Sequence, residues 1–363
     1  MTTITADTMP DIMIRSTFQP DYRNIVDAAR CIRPGRVPLY EHNVYPNVIE
    51  GLTGTRFAEL AKGDRKDRVE YFRTYCAALV DLGYDTVPFE GCLVELIQGG
   101  EALCGRAGPL FSTRQDIEAF DWAALPDAYF KRFDIDFEAL KEALPPGMMA
   151  LAGVGNGVFE SIQDFVPLTD LSYLEADDPD AFALLWSKVS DLLAAIWERF
   201  IPRHGDSFCL FRMGDDLGFK SSLLLKPDTI RSFIVPAYRR IVELAHKAGK
   251  PFLLHSCGKI FDVMDDIITE AGIDAKHSNE DAIAPFGQWL KLYGHRIALF
   301  GGIDMDLLCR ETPEAIAARV VEVLETAKPY PGFALGSGNQ IADYVPPSGF
   351  AAMVEAARRW RGE

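Results

Sequence analysis

The chain has 363 residues, and 37 Lys and Arg against 53 Asp and Glu leave a formal net charge of −16. That acidity argues against nucleic acid and anionic membranes as partners, because both call for a basic surface, and no apolar run reaches the ~18 residues a bilayer span needs. With 48% hydrophobic and 25% charged residues the composition is that of an ordinary globular protein.

Short apolar runs fall at 37–40, 86–89, 148–153, 208–212, 252–255, 274–277, 297–301 and 333–336, with longer amphipathic stretches between them, the signature of βα units. Among the predicted helices, 180–203 carries Phe182, Leu185, Val189, Leu192, Leu193 and Ile196 at helical spacing. A second, 228–248, starts after Lys226-Pro227 with Asp228 as its cap and stops at Gly249. A third, 312–327, opens at Thr312-Pro313 and is closed by Pro329 and Pro331, and 349–361 is the last. Eight strands alternating with helices can close into a barrel or lie in a doubly wound sheet, and the count favours the barrel. The expectation is an α/β chain: one (β/α)₈ TIM-type barrel over 31–363 with an N-terminal helical extension over 1–30. The first seven residues lack a basic segment leading into an apolar one, so no secretory signal is read. Seven scattered cysteines form no disulfide framework. A reduced, cytoplasmic protein is expected.

In such a barrel the catalytic groups sit where strands end. The strand ends in order are Glu41 and His42, Glu90, Asn156, Asp215 and Asp216, His255 and Cys257, Glu280, Asp304, and Ser337 and Asn339. The sharpest signal is Phe252-Leu253-Leu254-His255-Ser256-Cys257-Gly258, a strand running out into His-x-Cys. On extended backbone residues i and i+2 point the same way, so imidazole and sulfur can converge on one ion, and zinc suits that pair. A core His beside a small buried Cys would read the same. One strand later, Glu280 is the candidate third metal ligand, with His277 or Asp281 able to replace or support it; a Glu280-Asp281 helix cap before Pro285 is the alternative.

Asp215 and Asp216 follow Arg212-Met213-Gly214 and face opposite ways, so one of them enters the pocket to orient a cation, take a proton or bond a metal-bound His. A salt bridge to Arg212 would explain them equally. Ser337 and Asn339 stand in a Gly-rich turn, Gly336-Ser337-Gly338-Asn339, where glycine permits positive φ and close approach to a ligand. Asp215, Asp216, Ser337 and Asn339 are the candidate catalytic residues; Glu41, Glu90, Asn156, Glu160 and Asp304 are the candidate substrate contacts. Cys31, Cys76, Cys92, Cys104 and Cys209 have no metal-type spacing.

Gly35-Arg36-Val37-Pro38 with Glu41, Gly214-Asp215-Asp216-Leu217-Gly218, His255-Ser256-Cys257-Gly258-Lys259, Gly301-Gly302-Ile303-Asp304 and Gly336-Ser337-Gly338 before Val345-Pro346 together resemble the uroporphyrinogen decarboxylase superfamily across roughly 30–360. The resemblance implies a (β/α)₈ barrel. True decarboxylases of the superfamily are metal-free and hold a porphyrinogen with an N-terminal arginine pair and an aspartate. Arg33 and Arg36 stand near that place, but the Met-Arg-Gln-Ala-Gly-Arg stretch is missing, and Gly336-Ser337-Gly338 replaces Gly-His-Gly. The methyltransferase branch, which serves cobalamin chemistry, binds zinc through His-x-Cys and a later Cys, and cobalamin-independent methionine synthase uses His, Cys, Glu and Cys. His255, Cys257 and Glu280 follow that order, with Ser337 at the late Cys position. The resemblance therefore implies a zinc-dependent methyltransferase acting on a methylated small molecule or with a separate corrinoid-carrying protein, since this chain shows no cobalamin module. The alternative is a metal-independent decarboxylase or lyase on a small carboxylate or tetrapyrrole-like substrate. Dimers are common in the resembling family, so a homodimer is possible.

Overall fold

A computed structural model describes residues 17–97, 99 and 107–363; Cys104 and the first 16 residues of the expected extension lie outside them. Seven strands form one parallel sheet in sequence order: β1 (Thr86–Gly91), β2 (Met149–Val154), β3 (Phe208–Gly214), β4 (Phe252–His255), β5 (Ala275–His277), β6 (Ala298–Ile303) and β7 (Phe333–Ser337). All seven coincide with predicted runs to within two residues at each end.

The eighth run, 37–40, is a correction. It meets β7 through a single Leu39–Leu335 bridge, Tyr40 N–H donating to the Leu335 carbonyl and Leu335 N–H to that of Pro38. No ladder joins it to β1 among the described residues. Pro38 has no N–H to offer, and Pro88 removes a second donor from β1, the other edge. The sheet is accordingly a curled seven-strand half-barrel rather than a closed eight-strand one. Its curl is visible in Arg212 of β3, whose guanidinium donates to the carbonyl of His42 just beyond the 37–40 run.

The long helix Pro179–His204 buries Phe182, Leu185, Val189, Leu193, Ile196 and Phe200 on one stripe, and the Asp178 side chain caps it by accepting from Ala181 N–H at 3.0 Å. Thr312 caps Pro313–Ala327 in the same way. Asp228 does not cap its helix: the element begins at Pro227 after Lys226 and passes through a π-helical turn, Ile230–Ile234, before Val235–Lys247. Gly249 follows at φ +71°, as a helix stop requires.

Inside the curl a small-residue layer of Leu210, Leu253, Ala275, Ala298 and Ala334 packs on Ile25, Ala28 and Ala29 of the helix Arg23–Ala29. That helix covers the strand starts. Two residues further along β3, β4 and β5 the same inward direction changes character, to Arg212, His255 and His277, while β6 stays apolar at Phe300. Strand periodicity thus carries the interior from apolar packing to ionisable groups at the carboxyl rim.

Candidate functional site

The β4–β5 register pairs Leu253 with Ala275 and His255 with His277. The two imidazoles therefore stand side by side, and their Nδ1 atoms are 2.8 Å apart. Past β4 the chain turns back through Cys257, whose Sγ lies 3.4 Å from His255 Nε2. Asp216, past the end of β3, accepts from Cys257 N–H at 2.7 Å and brings Oδ1 to 3.7 Å from His255 Nε2. One donor atom each from Asp216, His255 and Cys257 lies within 4.8 Å of the others. Tetrahedral zinc sets neighbouring N, O and S donors ~3.3–3.6 Å apart; the His255–Cys257 pair falls in that range, His255–Asp216 just beyond it, and the donor set is one a divalent ion could take.

A second trio, His42, His255 and His277, is equally close. His42 lies against His255 with ring centroids 3.9 Å apart and the ring planes tilted by 34°, so the rings meet largely by ring-to-ring contact. That geometry suits packing better than chelation.

Electrostatics follow burial. Desolvation holds His42 and His255 well below the usual imidazole range, assisted by the Arg212 guanidinium, and holds His277 at about 3. All three are neutral imidazoles at physiological pH. Burial, then the Asp216 carboxylate, keeps the Cys257 thiol well above its ordinary value; a bound divalent cation inverts that balance and favours thiolate. Burial pushes the Lys276 ammonium down to about 7. Lys276 points out of the curl, donates to the Ser278 carbonyl and lies 4.0 Å from the centroid of the Trp289 ring.

Two cavities flank the trio and share Asp216 and Asn339. One, of about 250 Å³, is polar and lined by His42, Glu90, Asn156, Glu160 and His255. The other, of about 480 Å³, is lined by Gln163, Phe219, Lys220, Leu224, Cys257 and Glu280. Glu160 accepts from Asn156 Nδ2 at 2.7 Å and Asp216 N–H at 3.0 Å, and burial followed by the Asp216 and Asp215 charges raises its carboxyl well above the usual range. Glu90 pairs with Arg212 at 2.6 Å. Asn339 donates to Cys257 Sγ at 3.4 Å.

Of the other expected site residues, Glu280 lines the larger cavity and the rest are engaged within the protein. Glu280 belongs to neither trio; its carboxylate faces Lys220 at 3.6 Å, because it sits three residues beyond β5 where strand alternation no longer aims it. Asp215 is fully buried, accepting from Phe159 and Glu160 N–H groups and from Tyr238 Oη at 2.6 Å, which fixes the start of the helix Val158–Phe165. Neither aspartate pairs with Arg212. Asp304 accepts from Asp306 and Asp281 N–H groups and caps Met305–Arg310. Ser337 donates its hydroxyl to Glu41, which also accepts from Ser337 N–H at 3.1 Å and Tyr84 Oη at 3.2 Å. Burial raises Glu41 to about 8. Gly336 and Gly338 do not adopt positive φ. They admit neighbouring backbone instead: a Cβ at either would meet the Tyr40 or Asn279 carbonyl oxygen at 1.7 or 2.0 Å. Arg33 and Arg36 lie at the opposite end of the sheet, Arg36 against Asp85 just before β1.

A curled parallel sheet with its ionisable groups gathered at the carboxyl rim defines an α/β fold of the kind that places active sites at strand ends. The family model described as uroporphyrinogen decarboxylase (URO-D) matches residues 112–360, and the chain belongs to that family. A uroporphyrinogen decarboxylase of Magnetococcus marinus is 29% identical over 185 residues, 50% of this chain and 49% of the relative; the chain's match thus spans about half of that relative's length. A methylated-thiol–coenzyme M methyltransferase of Methanosarcina mazei is 31% identical over 117 residues, 32% of this chain and 30% of the relative. Among solved structures, a methyltransferase from Methanosarcina mazei superposes with a TM-score of 0.71 at 18% identity, covering 93% of this chain and 98% of that one. At that identity the likeness speaks for the fold alone.

Proposed function

We propose that this protein is a zinc-dependent methyltransferase acting on a methylated small molecule or together with a separate corrinoid protein. The observation that carries the reading is the convergence of His255 Nε2, Cys257 Sγ and the Asp216 carboxylate between two cavities. These three residues would hold the ion, and the side toward the cavities leaves room for substrate. Zinc, when bound, supplies Lewis acidity and lowers the pKa of a coordinated thiol. The chain's own residues do the rest. Asn339 donates to the Cys257 sulfur and steadies it, while Glu160 and Asn156 present a hydrogen-bonding wall in the smaller cavity. The named methyltransferase relative supports this reading. We further infer that residues 31–363 form one domain of TIM-type ancestry whose seven-strand sheet stays open between 37–40 and β1, and that the protein works in a reducing cytoplasm that keeps Cys257 unpaired.

The test is metal analysis of protein purified without chelator, coupled to methyl transfer between corrinoid and panels of thiols and methylated donors. About one zinc per chain, with metal and transfer both lost in His255→Ala and Cys257→Ala, is expected. A fully active metal-free enzyme overturns the reading and favours the decarboxylase alternative.

A further inference from the structure

The hydrogen-bond chain behind His255 bears on which of its nitrogens carries the proton. His277 Nε2 lies 2.9 Å from the Ser337 carbonyl oxygen. A carbonyl has no proton to give, so Nε2 of His277 must donate. A neutral imidazole has one N–H, which leaves His277 Nδ1 as a bare acceptor. That acceptor is 2.8 Å from His255 Nδ1, a contact between two bare nitrogens unless His255 supplies the proton. His255 Nε2 is then the bare nitrogen, and it is the one facing Cys257 Sγ at 3.4 Å and Asp216 Oδ1 at 3.7 Å.

We propose that His277 is a positioning residue that locks His255 in the Nδ1–H tautomer and so aims the Nε2 lone pair at Cys257 and Asp216. The relay begins at the Ser337 backbone, which Glu41 holds by accepting from both its N–H and its hydroxyl. Ser337 thus contributes through its carbonyl, not its side chain. Both imidazoles are buried, with 5% and 0% of the residue surface exposed, and the Nδ1–Nδ1 contact lies on the side of His255 away from Cys257 and Asp216. The tautomer assignment stands independently of any metal; its effect on metal affinity rests on the zinc reading.

Long-range proton–nitrogen correlation spectra of metal-free, ¹⁵N-histidine-labelled protein read the tautomer directly. The expected result is His255 protonated at Nδ1 and bare at Nε2 in the wild type. His277→Asn, whose amide oxygen can accept from Nδ1–H, should keep that state, and His277→Leu should shift it toward Nε2–H. A wild-type His255 protonated at Nε2 overturns the proposal, and this outcome needs no folded variant. Chelator competition provides the second arm: zinc affinity should fall ~10–100-fold in His277→Leu and stay within about threefold in His277→Asn. If the wild type binds zinc and His277→Leu binds it equally well, the proposal fails. If the wild type binds no zinc, the zinc reading fails and the spectra still decide the tautomer.

Discussion

Two clusters of buried polar side chains share the carboxyl rim of the sheet, and they differ in what they are free to do. Around Glu41, the Ser337 hydroxyl and N–H and the Tyr84 hydroxyl are all satisfied within the protein, and neither Glu41 nor Ser337 lines either rim cavity. Around His255, the sulfur, the imidazole nitrogen and the carboxylate converge beside two cavities. Position at the rim is common to both clusters; access separates support from chemistry. Glu41 is engaged by three neighbouring donors, and that engagement rather than its place in the motif is what distinguishes it from Asp216.

Substitutions can break or sharpen this contrast. The largest effect is expected for Cys257→Ala, which should lower bound zinc from about one equivalent to below a tenth and reduce methyl transfer by on the order of 10³-fold or more, measured by elemental analysis and turnover. The supporting cluster should speak through stability instead. Burial raises Glu41 from an ordinary 4.5 to about 8, so in that window the folded chain keeps a proton that the unfolded chain has lost. Stability should therefore fall as pH rises from 5 to 8, with this group contributing about 3 kcal/mol of the decline. Glu41→Gln, which keeps the shape and carries no charge, should flatten the trend; an unchanged difference in Tm between the two pH values would refute the assignment. Asp304→Ala removes a helix cap and should cost about 1 kcal/mol in denaturant unfolding while turnover stays near wild type. The smallest effect is expected where the family resemblance would predict the greatest. Ser337→Cys points its new thiol at Glu41, so zinc content should not change and affinity should stay within about threefold.

How much the sequence disclosed follows from how directly the backbone aims each side chain. Seven strands were legible because apolar runs bounded by amphipathic helices have few other uses. The eighth was overread, since Pro38 has the hydropathy of a strand without its donors. His255 and Cys257 were legible as a pair because two residues along extended chain return to one face. One of Asp215 and Asp216 was expected in the pocket; Asp216 lines both rim cavities, while Asp215 is engaged by the Phe159 and Glu160 N–H groups and by Tyr238, 23 residues on. Glu280 could not be aimed from sequence, because its loop has left the pleat. His277 was readable as a supporting group, but its partnership with His255 required the β4–β5 register. His42 and Arg212 came together only through the curl of the sheet.

Asp216 and Cys257 arrive from different strands, and what keeps them in step is the contact between two glycines. Gly258, at φ +88°, lies so close to Gly218 that a Cβ would sit 2.0 Å from the Gly218 carbonyl carbon, and Lys259 N–H donates to the Phe219 carbonyl beside it. The turn bearing the sulfur and the lip bearing the carboxylate are in effect riveted through bare backbone. A single methyl group at that rivet would act as a wedge, prising sulfur from carboxylate without touching either side chain.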